Sequence, residues 1–295
     1  MRRLFVLVAS LSSFVTCTSW GDPFYDKQNG VWGSPGCAAG TFYQIATGDL
    51  YLNFIADNAG AWKVALQKPD AHRTGGQYLL EQFKNADGTY GVSYTWFDGA
   101  DLATATSTSS SIEVDLNDLP DAPDEGLPVF RSQRCSQLPA KFYLWFAEGI
   151  RFMQLTAVLQ SKCTTSGSDC LESVFEFADV SGDKRLSVAE ICRMIRILTF
   201  AAVASNPGGA TEQDIDGAEA LATLFAPALA SAIISGSDYN GDGQLSLDEI
   251  FYDRGVTSAQ AGMMEAAHNF SLDAASKIMG TIFKGASKLP GLLGP

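Results

Sequence analysis

The sequence predicts an α+β protein in which a small antiparallel β-barrel or sandwich is followed by an all-helical domain. Between residues 30 and 138, short segments rich in β-branched and aromatic residues alternate with turn formers. After residue 139, apolar residues recur at helical spacing instead. Apolar residues make up 46% of the 295-residue chain and charged residues 18%, which is typical of folded proteins, and the length suggests two domains.

The N-terminus predicts a signal peptide over residues 1–20. Arg2 and Arg3 precede an apolar run at 4–15, which is too short to span a bilayer and is followed by small polar residues. This layout indicates export, so we expect a secreted or periplasmic protein. No later segment has eighteen uninterrupted apolar residues, and we therefore expect no transmembrane segment.

The β-rich domain is predicted to cover residues 21–138. Turn-forming clusters such as those at 57–60 and 85–88 separate its short, partly alternating apolar segments. The acidic, proline-containing stretch 115–126 is predicted to be a solvated connector. The predicted strands are 41–45, 50–55, 62–66, 90–96 and 111–116.

The helical domain is predicted to cover residues 139–295. Its apolar periodicity indicates helices at 141–160, 169–178, 188–204, 212–236 and 258–284. The last of these is rich in alanine, glycine and methionine and has three interpretations: ordinary core packing, an amphipathic helix that covers a groove exposed by a bound cation, or contact with a membrane surface. Lys277, Lys284 and Lys288 support the third interpretation weakly.

The cysteines suggest disulfides, which an exported protein can form. Their spacing favours one pair between Cys37 and Cys135 and a second between Cys163 and Cys170, although spacing alone cannot prove connectivity. Cys192 then remains single among apolar neighbours, as an inert thiol. With two histidines and no CxxC motif, the chain gives almost no support for a zinc site.

The charge balance narrows the classes of partner. Thirty-three acids oppose twenty Lys and Arg residues, giving a formal net charge of −13. A chain with this balance lacks the basic excess that binds phosphate backbones, so we expect no nucleic-acid partner. Cations or basic partners fit the surplus better.

Two twelve-residue windows, 179–190 and 238–249, carry the functional prediction. In each, oxygen-bearing side chains occupy alternate positions and a glutamate comes last. This pattern resembles the EF-hand calcium loop, in which a curled loop offers a hard cation six to eight oxygens. The resemblance implies Ca²⁺ as the ligand, held in loop one by Asp179, Ser181, Asp183, Arg185, Ser187 and Glu190, and in loop two by Asp238, Asn240, Asp242, Gln244, Ser246 and Glu249. Arg185 and Gln244, at position seven, contribute their backbone carbonyls, and the other residues contribute side-chain oxygens.

The two loops differ in quality. Lys184 stands where the family has glycine, so it must adopt a positive φ, and with Arg185 it brings positive charge to the ion. We therefore predict weaker binding in loop one, or a metal-free loop kept for packing. Loop two has the expected glycine, but Gly255 and its neighbours cut its exiting helix short. The apolar residues at position eight, Leu186 and Leu245, meet in a short strand pair in the family, although these two loops lie further apart in sequence than tandem hands usually do.

The functional expectation is an exported calcium-binding protein whose calcium is mainly structural or buffering, with a protein partner left open. We do not expect an enzyme, because the chain has no Gly-x-Ser-x-Gly, His-Glu-x-x-His or phosphate-loop motif. The alternatives are a secreted hydrolase-like enzyme or a barrel that binds a small apolar ligand, with calcium bracing the fold in either case. A deep apolar cavity would favour the ligand binder, and a filled interior would favour a structural or interaction role.

Overall fold

The computed structural model describes residues 23–252, apart from gaps at 38–39, 58, 86, 108–109, 137, 140–141, 163–166 and 207–208. The predicted signal peptide (1–20) and the predicted helix at 258–284 lie outside the described residues.

The described residues form an α+β structure with an N-terminal β-domain, as the sequence predicts. Ten strands form one antiparallel sheet: β1 (Gly30–Gly33), β2 (Phe42–Thr47), β3 (Leu50–Ala56), β4 (Trp62–Gln67), β5 (Ala71–Gly75), β6 (Tyr78–Lys84), β7 (Tyr90–Asp98), β8 (Asp101–Thr106), β9 (Val129–Arg134) and β11 (Ala210–Thr211). Their order in the sheet is β11-β4-β3-β2-β1-β9-β8-β7-β6-β5. The sheet curls into a half-barrel, with β11 and β5 as its edges, instead of closing into a complete barrel.

The strand predicted at 111–116 is wrong. Asp115 accepts a hydrogen bond from the backbone N–H of Asn117 (2.9 Å) and caps a short 3₁₀-helix at Leu116–Asp118. Such a local side-chain bond offers the backbone an alternative to strand pairing. Four predicted strands are confirmed as β2, β3, β4 and β7.

Four of the predicted long helices are confirmed within a residue or two at most ends. A short helix, α1, precedes the first strand, and α5 continues through Pro227. Two further two-residue strands, β10 and β12, pair with each other away from the large sheet. These elements are α1 (Pro23–Gln28), α2 (Tyr143–Lys162), α3 (Gly167–Ala178), β10 (Arg185–Leu186), α4 (Val188–Ala204), α5 (Glu212–Ser237), β12 (Leu245–Ser246) and α6 (Leu247–Tyr252).

The largest core lies between the sheet and helices α2 and α4. Gly149 of α2 lies so close to β3 that a Cβ atom there would come within 2.3 Å of Leu52 Cδ2. β11, between α4 and α5, pairs with β4 and ties the helical part of the chain to the sheet edge. Aromatic and aliphatic side chains of both parts fill the space, including Tyr43, Leu52, Phe54, Val64, Phe142, Phe152, Ile197 and Phe200.

A disulfide between Cys37 and Cys135 confirms the first predicted pair. It joins the segment after β1 to the end of β9, and these two strands are neighbours in the sheet. Cys163, the predicted partner of Cys170, lies outside the described residues. Cys192 is a half-buried free thiol whose pKa is raised by burial, which makes the nucleophilic thiolate scarce.

Candidate functional site

Both predicted loops connect one helix to the next at the end of a two-helix hairpin. Loop one (179–190) lies between α3 and α4, and loop two (238–249) lies between α5 and α6. Helices α4 and α5 pack along each other, so the chain turns back through β11 and returns the second loop to the first. This hairpin therefore brings the two loops close in space although they are far apart in sequence.

The two loops meet through a short antiparallel strand pair. β10 of loop one pairs with β12 of loop two, with Leu186 opposite Leu245. Both leucines are buried in a small cluster of apolar residues contributed by the flanking helices. The burial of these two side chains fixes the loops side by side, because their separation would expose both leucines. The other buried members of the cluster are Phe175, Ala178, Ile191, Ala230 and Ile234.

In loop one, the first and last acids converge on Ser181. Its Oγ donates to Asp179 Oδ1 (3.0 Å), and its backbone N–H donates to Glu190 Oε1 (2.9 Å). Asp179 also accepts from the backbone N–H groups of Gly182 (2.7 Å) and Lys184 (2.8 Å), so the loop curls around this carboxylate. The first, third and last predicted ligands are therefore brought together.

Glu190 is held by a capping box at the start of α4. Its Oε2 accepts from the backbone N–H (2.9 Å) and the Oγ (2.8 Å) of Ser187, the N-cap residue. Burial alone would raise the pKa of Glu190, but the hydrogen bonds from Ser187 and Ser181 lower it to about 2. The side chain is thus a preformed, buried carboxylate at the end of the loop.

Loop two repeats this arrangement. Asp238 accepts from Gly241 N (2.7 Å) and Gly243 N (2.8 Å), and Glu249 Oε1 accepts from Asn240 N (3.1 Å). Glu249 Oε2 accepts from the backbone N–H (2.8 Å) and Oγ (2.7 Å) of Ser246, and these bonds lower the pKa of Glu249. The matching bonds in two unrelated stretches of sequence show that the loop pattern, rather than its surroundings, sets this geometry.

The sixth residue takes the left-handed conformation in both loops. Lys184 has a φ of 62°, as the sequence predicts, and Gly243 has a φ of 80°. This conformation costs about 1 kcal/mol for lysine, whereas glycine adopts it at little cost in free energy. The backbone cost therefore falls on loop one alone.

A cation from loop one reaches into loop two. Arg185 Nη1 donates to Asp242 Oδ2, forming an ion pair between the loops. Asp242 is a predicted calcium ligand, so a protein cation occupies one of its oxygens. The loop pattern implies a role for the Arg185 carbonyl and does not predict this contact of its side chain.

The donor chemistry of the loops fits a hard cation better than a soft one. Within the residues that the structure describes, no three Asp, Glu, His or Cys groups lie close enough together to form a metal cluster. The loops instead mix carboxylates with serine, asparagine and backbone oxygens, which is the donor set that calcium accepts. A carboxylate has about four lone-pair sites. Glu190 accepts three hydrogen bonds and Glu249 accepts four, so each would exchange some of these bonds for an ion that it ligates.

The β-domain contains a second group of polar side chains that sequence reasoning missed. Glu81 of β6 is only 3% exposed and accepts hydrogen bonds from the hydroxyls of Tyr25 (3.1 Å) and Tyr51. Burial raises its pKa to about 7, although both tyrosine bonds act to lower it. The sequence signal for this buried group is the position of Glu81 between the apolar residues Leu80 and Phe83.

The described cavity in the β-domain is small. It measures about 230 Å³ and lies beside β7, with Tyr90, Tyr94 and Leu119 among its lining residues. Small-molecule pockets usually span about 300–1,000 Å³. The face of the sheet that meets α2 and α4 is filled by side chains.

Comparison with known proteins gives no relative: the chain matches no family model, no curated protein and no solved structure at a significant level.

Among the described residues, α5 is long and apolar enough to cross a membrane by length and composition alone.

Proposed function

We propose that this protein is an exported calcium-binding protein in which the paired loops 179–190 and 238–249 hold one Ca²⁺ each. The observation that carries the proposal is a pair of hydrogen bonds repeated in both loops. The third residue donates its backbone N–H to the last glutamate, and the sixth donates its backbone N–H to the first aspartate. The β10–β12 pairing adds to this. The signal-like N-terminus and the Cys37–Cys135 disulfide support export.

Each ion would be held by the oxygen donors that the loop pattern implies. In loop one these are the side chains of Asp179, Ser181, Asp183, Ser187 and Glu190 with the Arg185 carbonyl. In loop two they are the side chains of Asp238, Asn240, Asp242, Ser246 and Glu249 with the Gln244 carbonyl. Calcium supplies positive charge between carboxylates that otherwise repel one another.

The calcium acts mainly on stability. Extracellular calcium modules bind with dissociation constants of about 10⁻⁴–10⁻³ M, which suits an exported protein. At a tenfold excess of calcium over the dissociation constant, each filled site adds about 1.4 kcal/mol to the free energy of unfolding. The small described cavity and the filled face of the sheet support this structural role over the carriage of an apolar ligand.

Titration calorimetry on the full exported chain tests the proposal. We expect calcium to bind with a measurable heat, and Glu249→Gln to remove the tighter site while Glu190→Gln removes the weaker one. Asp248→Asn is the matched control, because Asp248 lies beside Glu249 and is not among the ligands that the loop pattern implies. Absence of calcium binding in the wild type, or binding unchanged in both glutamine variants, would refute the proposal.

A reciprocal exchange at the sixth position tests why the two loops differ. Lys184→Gly removes the strained backbone and one positive charge, so we expect tighter binding in loop one. Gly243→Lys introduces both into loop two, where we expect weaker binding. If neither substitution changed the affinity of its own loop, the sixth residue would not explain the difference between the sites.

A further inference from the structure

The longest helix, α5, has apolar residues on two opposite faces. One face carries Ile215, Ala222, Ala226, Ala230 and Ile234, all buried against the rest of the protein. The opposite face is exposed. We call this second set the outer stripe of α5: Leu221, Leu224, Phe225, Ala228 and Ala232.

The outer stripe is unusual for a helix surface that faces water. Leu224 is 73% exposed, Leu221 47% and Phe225 42%. No charged residue occurs between 220 and 237, although the chain as a whole is strongly acidic. A helix that is apolar on both faces is normally covered on both, and no described residue covers this one.

We propose that residues 258–288, which follow α6, dock on the outer stripe of α5. The described chain ends at Tyr252, one short loop and one short helix after α5. The stripe extends from residue 232 back to 221, about 17 Å along the helix. The 43 residues after Tyr252 are long enough to turn back and cover it.

The composition of this segment matches the stripe. Ala275, Ile278, Met279 and Ile282 have the i, i+3, i+4, i+7 spacing of one helix face. The flexible methionine side chain adapts to an irregular surface of leucine, phenylalanine and alanine. Exposed leucine and phenylalanine side chains would thereby leave water.

The charges indicate an antiparallel orientation. The first two turns of α5 carry four acids and no base: Glu212, Asp214, Asp216 and Glu219. After Asp273, the only charged residues of the chain are Lys277, Lys284 and Lys288. A segment that starts near the C-terminal end of α5 and runs back along it brings these lysines towards the acidic end.

The covalent connection favours this segment over other occupants. A tethered segment has an effective concentration in the millimolar range, well above that of a second copy of the chain at micromolar concentration. The inner face of α5 packs against the rest of the described protein, so the outer stripe is the face that remains open to the segment.

Hydrogen exchange on the full chain, read by mass spectrometry, tests the docking. We expect Leu224→Glu to speed exchange of the backbone amides within 258–288 about tenfold or more, since burial of a leucine side chain exceeds one factor of ten in equilibrium. Thr223→Glu is the matched control: it adds the same charge to an exposed position of α5 outside the stripe and should leave the exchange unchanged.

A second variant on the segment keeps the test independent of α5 folding. Ile278→Glu should produce the same acceleration, and the double variant should add little to either single one, because both remove one contact surface. Exchange in β3 and β4 should stay at the wild-type rate. These measurements are made without calcium and with it, so a failure of calcium binding would leave this test intact.

Three results would overturn the proposal. One is fast exchange of 258–288 in the wild type, with no effect of either substitution. Another is a dimer by light scattering that Leu224→Glu dissociates, which would assign the stripe to a second copy of the chain. The third is protection that arises only with vesicles containing anionic lipid, which would assign it to a membrane surface.

Discussion

Replacement of Glu81 by glutamine should remove a specific pH dependence of stability. Glu81 lies in the middle of β6, buried beneath α1, and accepts hydrogen bonds from Tyr25 and Tyr51. The loss of solvation on burial outweighs these bonds and raises the pKa of Glu81 to about 7, with Asp49 adding to the rise. His72 lies opposite Glu81 on β5 and contacts the Tyr25 ring.

The sign follows from the proton that the folded state keeps. Between pH 4.5, the ordinary pKa of glutamate, and pH 7, the folded protein holds a proton on Glu81 that the unfolded chain has released. The free energy of unfolding therefore falls as the pH rises through this window. A rise of the pKa from 4.5 to about 7 corresponds to about 3 kcal/mol of stability, lost progressively as the pH rises from 4.5 to just above 7.

Glu81→Gln keeps the size of the side chain and cannot ionise. We expect urea denaturation between pH 4.5 and 8 to give a flatter profile for the variant, with a gain of as much as about 3 kcal/mol over the wild type at pH 8. Glu113→Gln, at an exposed position, should retain the wild-type profile. Glu190 titrates in the opposite sense: its lowered pKa contributes stability that is lost as the pH falls below 4.5, outside this window.

A Glu81→Gln profile with the same slope as the wild type would refute the reasoning, because some other group would then carry the pH dependence. So would a loss of stability at pH 8, which would mean that the two tyrosines need a carboxylate as their acceptor. Direct titration of Glu81 by NMR in the folded protein would separate these two outcomes.

Three further perturbations test the rest of the structure. Arg185→Gln should tighten calcium binding in loop two about two- to fivefold by calorimetry, because it releases Asp242 from a partly exposed ion pair; unchanged affinity would mean that the pair does not compete with calcium. Replacement of Cys37 and Cys135 by alanine should lower the free energy of unfolding by about 3–5 kcal/mol, given their separation of 98 residues, and an unchanged denaturation midpoint would contradict this. Gly149→Ala should cost about 1–2 kcal/mol by urea denaturation, because overpacking against β3 outweighs the better helix propensity of alanine; greater stability would show that the core can yield there.

The sequence predicted best where a local pattern determines the structure. Helical periodicity located α2 to α5, and alternating apolar residues located four strands. Strands β1, β5, β6, β8 and β9 were not predicted. β5 and β9 are mostly polar, and β6 carries Glu81 and Gln82 between its apolar residues. Their strand conformation depends on pairing with neighbours distant along the chain, which no local pattern records.

The loops show the same difference between features set by local sequence and features set by distant contacts. The positive φ of Lys184 follows from its place in the twelve-residue window, so the sequence predicted it. The ion pair of Arg185 with Asp242 depends on β10 lying beside β12, and β11 contributes to that arrangement by pairing with β4 where the chain turns between α4 and α5. Contacts that need three distant segments at once cannot be read from residue spacing.

The acidic loops lie beside the smaller of the two apolar clusters that α4 connects. The large core between sheet and helices is closed by a disulfide and by many aromatic contacts, whereas the small cluster around Leu186 and Leu245 has few members. Met194 of α4 packs against both clusters and connects them. Calcium bound in the loops would therefore stabilise the smaller cluster most directly, since local unfolding starts where few apolar contacts hold the chain. The acids of the loops thus lie beside a cluster with few buried apolar members, where a bound cation would add stability.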